Sequence, residues 1–157
     1  MTARSAGLLL YRRPDDVSNG VQVLLGHMGG PYWKGKDAAA WSIPKGEYTG
    51  DEDPLAAARR EFAEELGLEP PGADFVPLGE VLQRGGKIVT AWAVEADVDV
   101  RKIVSNSFEI EWPPRSGRRQ KFPEVDRADW FEIPVARLKI VQGQLPLLDR
   151  LTQQLAH

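Results

Sequence analysis

Between Gly46 and Leu68 the chain sets Gly46, Glu52, Arg60, Glu61, Glu64, Glu65 and Gly67 at fixed spacing. Glu61, Glu64 and Glu65 stand at i, i+3 and i+4, which on a helix makes them neighbours on one face. Carboxylates crowded in this way repel one another unless a cation lies between them. Their oxygens are hard ligands suited to Mg²⁺ or Mn²⁺. The spacing therefore predicts a divalent-metal site on a helix, on a face that is solvated when no metal is bound. A merely solvated acidic helix is the competing reading. It does not explain why the glutamates have no lysine four residues on to neutralise them.

The helix is well signalled. Asp53 can cap it, and Pro54 falls at the first helical position, where its missing N–H costs nothing. Leu55-Ala56-Ala57-Ala58-Arg59-Arg60 is rich in helix formers. Gly67 can take the left-handed terminating conformation, and Pro70-Pro71 prevents continuation. Leu55, Ala58, Phe62 and Leu66 form an apolar stripe about a third of a turn from the glutamates. One face can pack on a sheet while the other meets ions.

The residues match the pattern G-x5-E-x7-R-E-U-x-E-E-x-G-U, where U is a bulky apolar residue, and the chain resembles the Nudix hydrolases at every specified position. By composition the fixed positions would coincide by chance roughly once in 10⁸ starts. Phe62 stands where an aliphatic residue is more usual, a variation of packing alone. Trp41-Ser42-Ile43-Pro44-Lys45 also resembles the usual approach to this box.

Elsewhere the pattern gives elements rather than chemistry. Strands are expected over residues 6–12, 21–27, 41–43, 75–82, 87–94, 108–112 and 128–133, with turns at Pro14–Gly20 and Gly85-Gly86. A closing helix is expected over 145–156, its stripe being Leu147, Leu148, Leu151 and Leu155. Strands on both sides of one helix suit an α/β fold, a mixed β-sheet between helices. The resemblance implies the same Nudix-type α/β/α sandwich, as a single domain over 1–157.

At 157 residues the chain can bury a sizeable core, and 42 % hydrophobic with 27 % charged residues is ordinary globular usage. There is no cysteine, hence no disulfide framework and no thiol chemistry. No apolar run is long enough to span a membrane, and the N-terminus starts no signal peptide, so a cytoplasmic protein is expected. A net charge of −3 argues against a polyanion-binding surface, and no nucleic-acid module fits in the remaining length. Monomer and homodimer both stay open.

The resemblance implies Mg²⁺- or Mn²⁺-dependent hydrolysis of the diphosphate linkage of a nucleoside diphosphate joined to another group. Carried over by position, it makes Glu64 and Glu65 metal ligands, and Glu61 a further ligand or the base that takes the water's proton. Arg60 would orient the carboxylates, with Glu52 as its partner or an outer ligand. The Lys45 carbonyl would offer another metal oxygen, with Gly46 keeping the loop tight. An extra downstream glutamate is expected at Glu124, with Glu109 and Glu111 as alternatives. For substrate, Tyr32 or Trp33 could stack on a base, with Lys34, Lys36 or Lys45 near phosphate. Arg115, Arg118 and Arg119, with Lys121, could grip distal phosphates, since guanidinium forks suit phosphate oxygens. A solvated loop is the alternative for the arginines, and a core plug for Trp33. His27, ending an apolar strand, reads as structural.

Two markers of narrower substrate groups are missing. Gly85 stands where one dinucleoside polyphosphate group has a tyrosine, and Gln83 and Arg84 where many ADP-ribose hydrolases have a proline. The basic segment leans toward a substrate with several phosphates: a dinucleoside polyphosphate, a nucleoside triphosphate or an inositol pyrophosphate. A non-catalytic nucleotide-binding or regulatory protein of the same fold is the alternative, but such proteins usually lose box carboxylates, which this chain keeps. A diphosphate-ester isomerase would need a cysteine.

Overall fold

The computed structural model describes residues 3–14 and 20–156. Its centre is β1 (Arg4–Arg12), whose run Ala6-Gly7-Leu8-Leu9-Leu10 is buried throughout. A strand apolar on both faces must be covered on both. β1 pairs in parallel with β6 (Ile88–Glu95), from Arg4↔Ile88 to Tyr11↔Glu95, and β6 pairs antiparallel with β5 (Val76–Leu82) around the Gly85-Gly86 turn. On its other edge β1 meets β2 (Gln22–Met28) only at Tyr11↔Val23 and Arg12↔Gln22. The two strands then diverge. β3 (Trp41–Ser42) takes the freed edge of β2, and β4 (Lys45–Glu47) takes the freed edge of β1 at Gly7, Ala6 and Ser5. β9 (Val125–Glu132) completes the mixed sheet along the far edge of β2.

α1 (Pro54–Leu66) lies on one face, burying Ala57, Ala58, Phe62 and Leu66 against Ala6, Leu8, Leu10, Leu24 and Val94. Its ends follow the expected chemistry. Asp53 accepts the Ala56 N–H at 3.0 Å, and Gly67, at φ 68°, sends its N–H to the Ala63 carbonyl. The other face carries α2 (Ile133–Lys139) and α3 (Leu145–Leu155) over Leu9, Val23, Leu25, Val89 and Ala91, with Leu147, Leu148 and Leu151 from α3 fully buried. The fold is the expected α/β/α sandwich.

Three elements depart from expectation. Residues 45–47, expected as loop, form β4. Residues 119–123, also expected as loop, form β8 (Arg119–Pro123), which pairs with β7 (Ser107–Glu111) as a separate hairpin. Arg119-Gln120-Lys121 hides this strand because its partner, not its own pattern, defines it. Third, β9 ends at Glu132 and a helix begins at Ile133, since Pro134 cannot donate to a ladder but suits a first helical turn. The expected Pro14–Gly20 turn lies largely outside the described residues. Among those described, no helix is long and apolar enough to cross a membrane.

Phe62 is the largest fully buried side chain of α1. Phe62→Ala should cost about 3–5 kcal/mol by lost transfer energy and the cavity left behind. Leu82→Ala, at a side chain 67 % exposed, should stay within about 0.5 kcal/mol of the parent. Urea midpoints measure both, and equal midpoints for the two variants would contradict this packing.

Candidate active site

The site begins where β4 crosses α1. A Cβ added at Gly46 would lie 1.9 Å from Glu61 Oε2 and 2.1 Å from its Cδ. The Glu61 carboxylate thus rests against the bare Cα of Gly46. The glycine gives clearance to a side chain, within a strand rather than in the tight loop expected. Its φ lies outside the left-handed region, so no turn demands it.

Arg60 joins the acids. Its Nε and Nη2 donate to the two oxygens of Glu52 at 2.8 and 2.9 Å, a fork on a carboxylate. Nη1 donates to Glu61 Oε1 at 2.7 Å and reaches both oxygens of Glu64 at 3.3 and 3.4 Å. Arg60 thus stands among the carboxylates with Glu52 as its partner, the arrangement the resemblance implies, and it is a cationic neighbour to acids that no lysine follows four residues on. The Arg60 hydrogen bonds hold Glu52 below the usual carboxylate range, and Glu52 in turn raises the guanidinium. Glu61 moves the other way, because burial outweighs its bond to Arg60. The expected solvated face is corrected. The Glu61 side chain is only 12 % exposed beneath β4, while Glu64 is 46 % exposed.

Glu65 turns toward Lys45. Leu8 N–H donates to the Pro44 carbonyl, and Gly46 stands opposite Ala6. By the alternation of an antiparallel ladder, Lys45 then points its N–H and C=O away from β1. Its N–H donates to Glu65 Oε2 at 3.2 Å. Burial pushes the Glu65 carboxyl up to about 8, against the pull of Lys45, while Glu124 and Glu61 add repulsion. Burial likewise lowers the Lys45 ammonium.

Lys45 and Glu65 open into a cavity of about 150 Å³ whose wall includes Trp33, Ser42, Phe108 and Glu124. Glu124 is thus the downstream glutamate that reaches the site. Glu109 and Glu111 stay on the exposed hairpin, facing Arg119 and the Arg115 N–H. Arg115, Arg118 and Arg119 are exposed and are not part of the cavity wall. Tyr32 is exposed with its ring edge on Trp112, whereas Trp33 both lines the cavity and packs against the core. Lys34 and Lys36 are exposed, Lys36 Nζ lying 5.6 Å from the Trp33 ring. His27 is buried, bonded to Asp126 and to the Lys36 carbonyl, outside the cavity wall. Sequence reasoning gave Phe108 no role. Its signal was the apolar alternation of Phe108 and Ile110, which faces Phe122 across the hairpin.

Among the described residues, no group of three acidic or histidine side chains is gathered to hold one ion. Arg60 Nη1 lies between Glu61 and Glu64, and Glu65 faces Lys45. The donor chemistry nevertheless fits a hard divalent cation: carboxylate oxygens on adjoining turns, two of them raised by burial that a cation would relieve. Such a cation would share Glu61 and Glu64 with Arg60.

A mixed sheet between helices, with this acidic helix face beneath a glycine-containing strand, is the arrangement of a Nudix domain. The NUDIX domain family model matches residues 1–151, and the chain belongs to that family. No curated protein gives a significant match. Solved structures do. An Ap4A hydrolase of C. elegans in a binary complex is 22 % identical, with 97 % of this chain and 98 % of that one covered, at a TM-score of 0.64. The NUDIX domain of Shewanella oneidensis NrtR complexed with ADP ribose is 16 % identical, covering 99 % and 89 %, at 0.66. The Nudix hydrolase RenU of M. smegmatis is 25 % identical, covering 97 % and 84 %, at 0.56.

Gly46→Ala should fold, since the atoms its methyl group meets first are those of the Glu61 carboxylate, the end of a flexible side chain. Moving it should lower kcat by about tenfold or more with little change in melting temperature. A variant that keeps the parental kcat would show that the Glu61 carboxylate need not sit against Gly46.

Proposed function

We propose that the chain is an Mg²⁺- or Mn²⁺-dependent pyrophosphohydrolase, acting as one Nudix domain over 1–157 in the cytoplasm. Its substrate class is a nucleoside diphosphate joined to a further group, among them dinucleoside polyphosphates and nucleoside triphosphates. The observation that carries this is the joining of the box carboxylates to the cavity: Glu65 belongs to both, and Lys45, bonded to it, lines the cavity beside it. That neighbours of the same fold include an Ap4A hydrolase and a domain holding ADP ribose supports a nucleotide substrate.

Glu64, Glu65 and Glu61, with the Lys45 carbonyl and Glu124, would hold the metal. Bound there, it would neutralise phosphate oxygens and acidify water. Glu61, whose proton affinity is raised by burial, takes the proton of the attacking water. Arg60, anchored on Glu52 by two bonds, keeps Glu61 and Glu64 in place. The Lys45 ammonium would meet phosphate and Trp33 the base, while Arg115, Arg118 and Arg119, on the exposed hairpin outside the cavity wall, would meet only phosphates that extend beyond it. A second reading, a non-catalytic nucleotide-binding or regulatory protein, draws on the engagement of Arg60 with Glu61 and Glu64.

The test is a panel of mononucleotides, dinucleoside polyphosphates, ADP-ribose and inositol pyrophosphates assayed with Mg²⁺, products being resolved by chromatography. Hydrolysis should vanish with excess EDTA. Glu64→Gln or Glu65→Gln should lower kcat by at least about a hundredfold, as loss of a charge-stabilising group does. Turnover that persists in EDTA overturns the metal assignment, and binding without turnover selects the second reading. Separately, replacing Arg118 and Arg119 by alanine should raise KM for long phosphate chains by about tenfold or more, a charge-assisted contact being worth roughly 1.5–3 kcal/mol. The effect on a two-phosphate substrate should be much smaller, and equal small effects on all substrates would assign the hairpin arginines to solvent.

A further inference from the structure

Gln144 is fully buried at the end of the short turn Gln142–Gln144, among the apolar side chains beneath the sheet. A buried amide is costly unless its groups are bonded. Here Oε1 accepts the Ile43 N–H at 3.0 Å, and Nε2 donates to Ser42 Oγ at 2.9 Å and to Gln83 Oε1 at 2.8 Å. Leucine would suit such surroundings better, so the polar group has a partner that needs it.

That partner is the step between two strands. At Ser42 the chain is paired with β2, and at Lys45 it is paired with β1. Ile43 falls in the crossing, where its N–H finds the side chain of Gln144 in place of a neighbouring strand. Pro44 has no N–H and a fixed φ, so the path from Ile43 to Lys45 is stiff. The approach to β1 is also close, since a Cβ on Gly7 would lie 2.6 Å from the Pro44 carbonyl oxygen. Two residues past the Gln144 bond, the Lys45 N–H meets Glu65. Gln83 holds the far side of the amide, with Gly143 packed so tightly that a Cβ there would lie 2.8 Å from Gln83 Cα.

The geometry points to Gln144 as a positioning residue: by holding the Ser42–Ile43 crossing, it sets where the Lys45 backbone meets Glu65. Its catalytic consequence rests on the function proposed above, whereas its effect on the Lys45 backbone does not.

Gln144→Met keeps the length of the side chain and removes all three bonds. It is compared with Leu148→Ala, a cavity in the same core, at a temperature where circular dichroism shows both folded. The first measurement is amide hydrogen exchange by NMR without metal. Gln144→Met should lose protection at both Ile43 and Lys45, and Leu148→Ala should keep it at Lys45. The second is steady-state hydrolysis, in which Gln144→Met should lower kcat about tenfold to a hundredfold, as small misplacements do. KM should stay within about threefold, an interaction felt mainly in the transition state. Unchanged Lys45 protection in Gln144→Met overturns the proposal, as does an equal loss of kcat in Leu148→Ala. A parent without hydrolytic activity would instead defeat the proposed function, and the exchange result would still decide the role of Gln144. Should Gln144→Met not fold, Gln144→Asn serves: its amide is one methylene too short for the Ile43 N–H, and it should lose Lys45 protection. Retained Lys45 protection in a folded Gln144→Asn overturns the proposal.

Discussion

The approach of β4 to α1 governs the rest of this structure. Gly46 leaves no space between its Cα and the Glu61 carboxylate, and one residue earlier the Lys45 N–H is bonded to Glu65. Two acids that a free helix would hold out to water are thereby drawn beneath a strand. Burial then outweighs the cationic neighbours. Glu61 is raised despite Arg60, and Glu65 despite Lys45. Only Glu64, nearly half exposed, keeps much of its contact with solvent.

The stability that permits this lies on the opposite side of α1. Ala57, Ala58, Phe62 and Leu66 are fully buried, and burying a large apolar side chain contributes about 1.5–3 kcal/mol. The ion pairs of Arg60 are partly exposed and are worth little as stability. Their work is geometric. A fork on Glu52 leaves one nitrogen to hold Glu61 and Glu64 side by side. The helix is thus fastened by its apolar stripe, which leaves its acidic face free to be shaped by charge.

The extent to which the sequence disclosed this differs by kind of interaction. Local signals were legible: the Asp53 cap, the Gly67 terminus and the stripe of Phe62 and Leu66 each depend on neighbours within a few residues. What depends on a distant partner was not. β8 is a strand only because Ser107–Glu111 lies beside it, and β4 only because β1 parts from β2. The box showed which acids belong together and that Arg60 would stand with them, but not that Glu61 and Glu65 would be drawn beneath β4. A spacing rule gives the face of a helix, whereas side-chain direction decides the contacts. Gln144 shows the same limit most sharply. Nothing in its neighbourhood along the chain announces a bond to a residue a hundred positions earlier.

The central proposal is that the carboxylates of α1 take up a divalent cation, with Arg60 held on Glu52 beside them. The most direct measurement is the electron paramagnetic resonance of Mn²⁺ titrated into the purified protein, set beside a variant carrying Glu61→Gln, Glu64→Gln and Glu65→Gln together. The account predicts that the parent suppresses the sharp signal of free aqueous Mn²⁺, that excess Mg²⁺ restores it, and that the triple variant leaves it untouched. Equal suppression by parent and variant would place the metal elsewhere. A parent that leaves the aqueous signal unchanged would contradict the account outright.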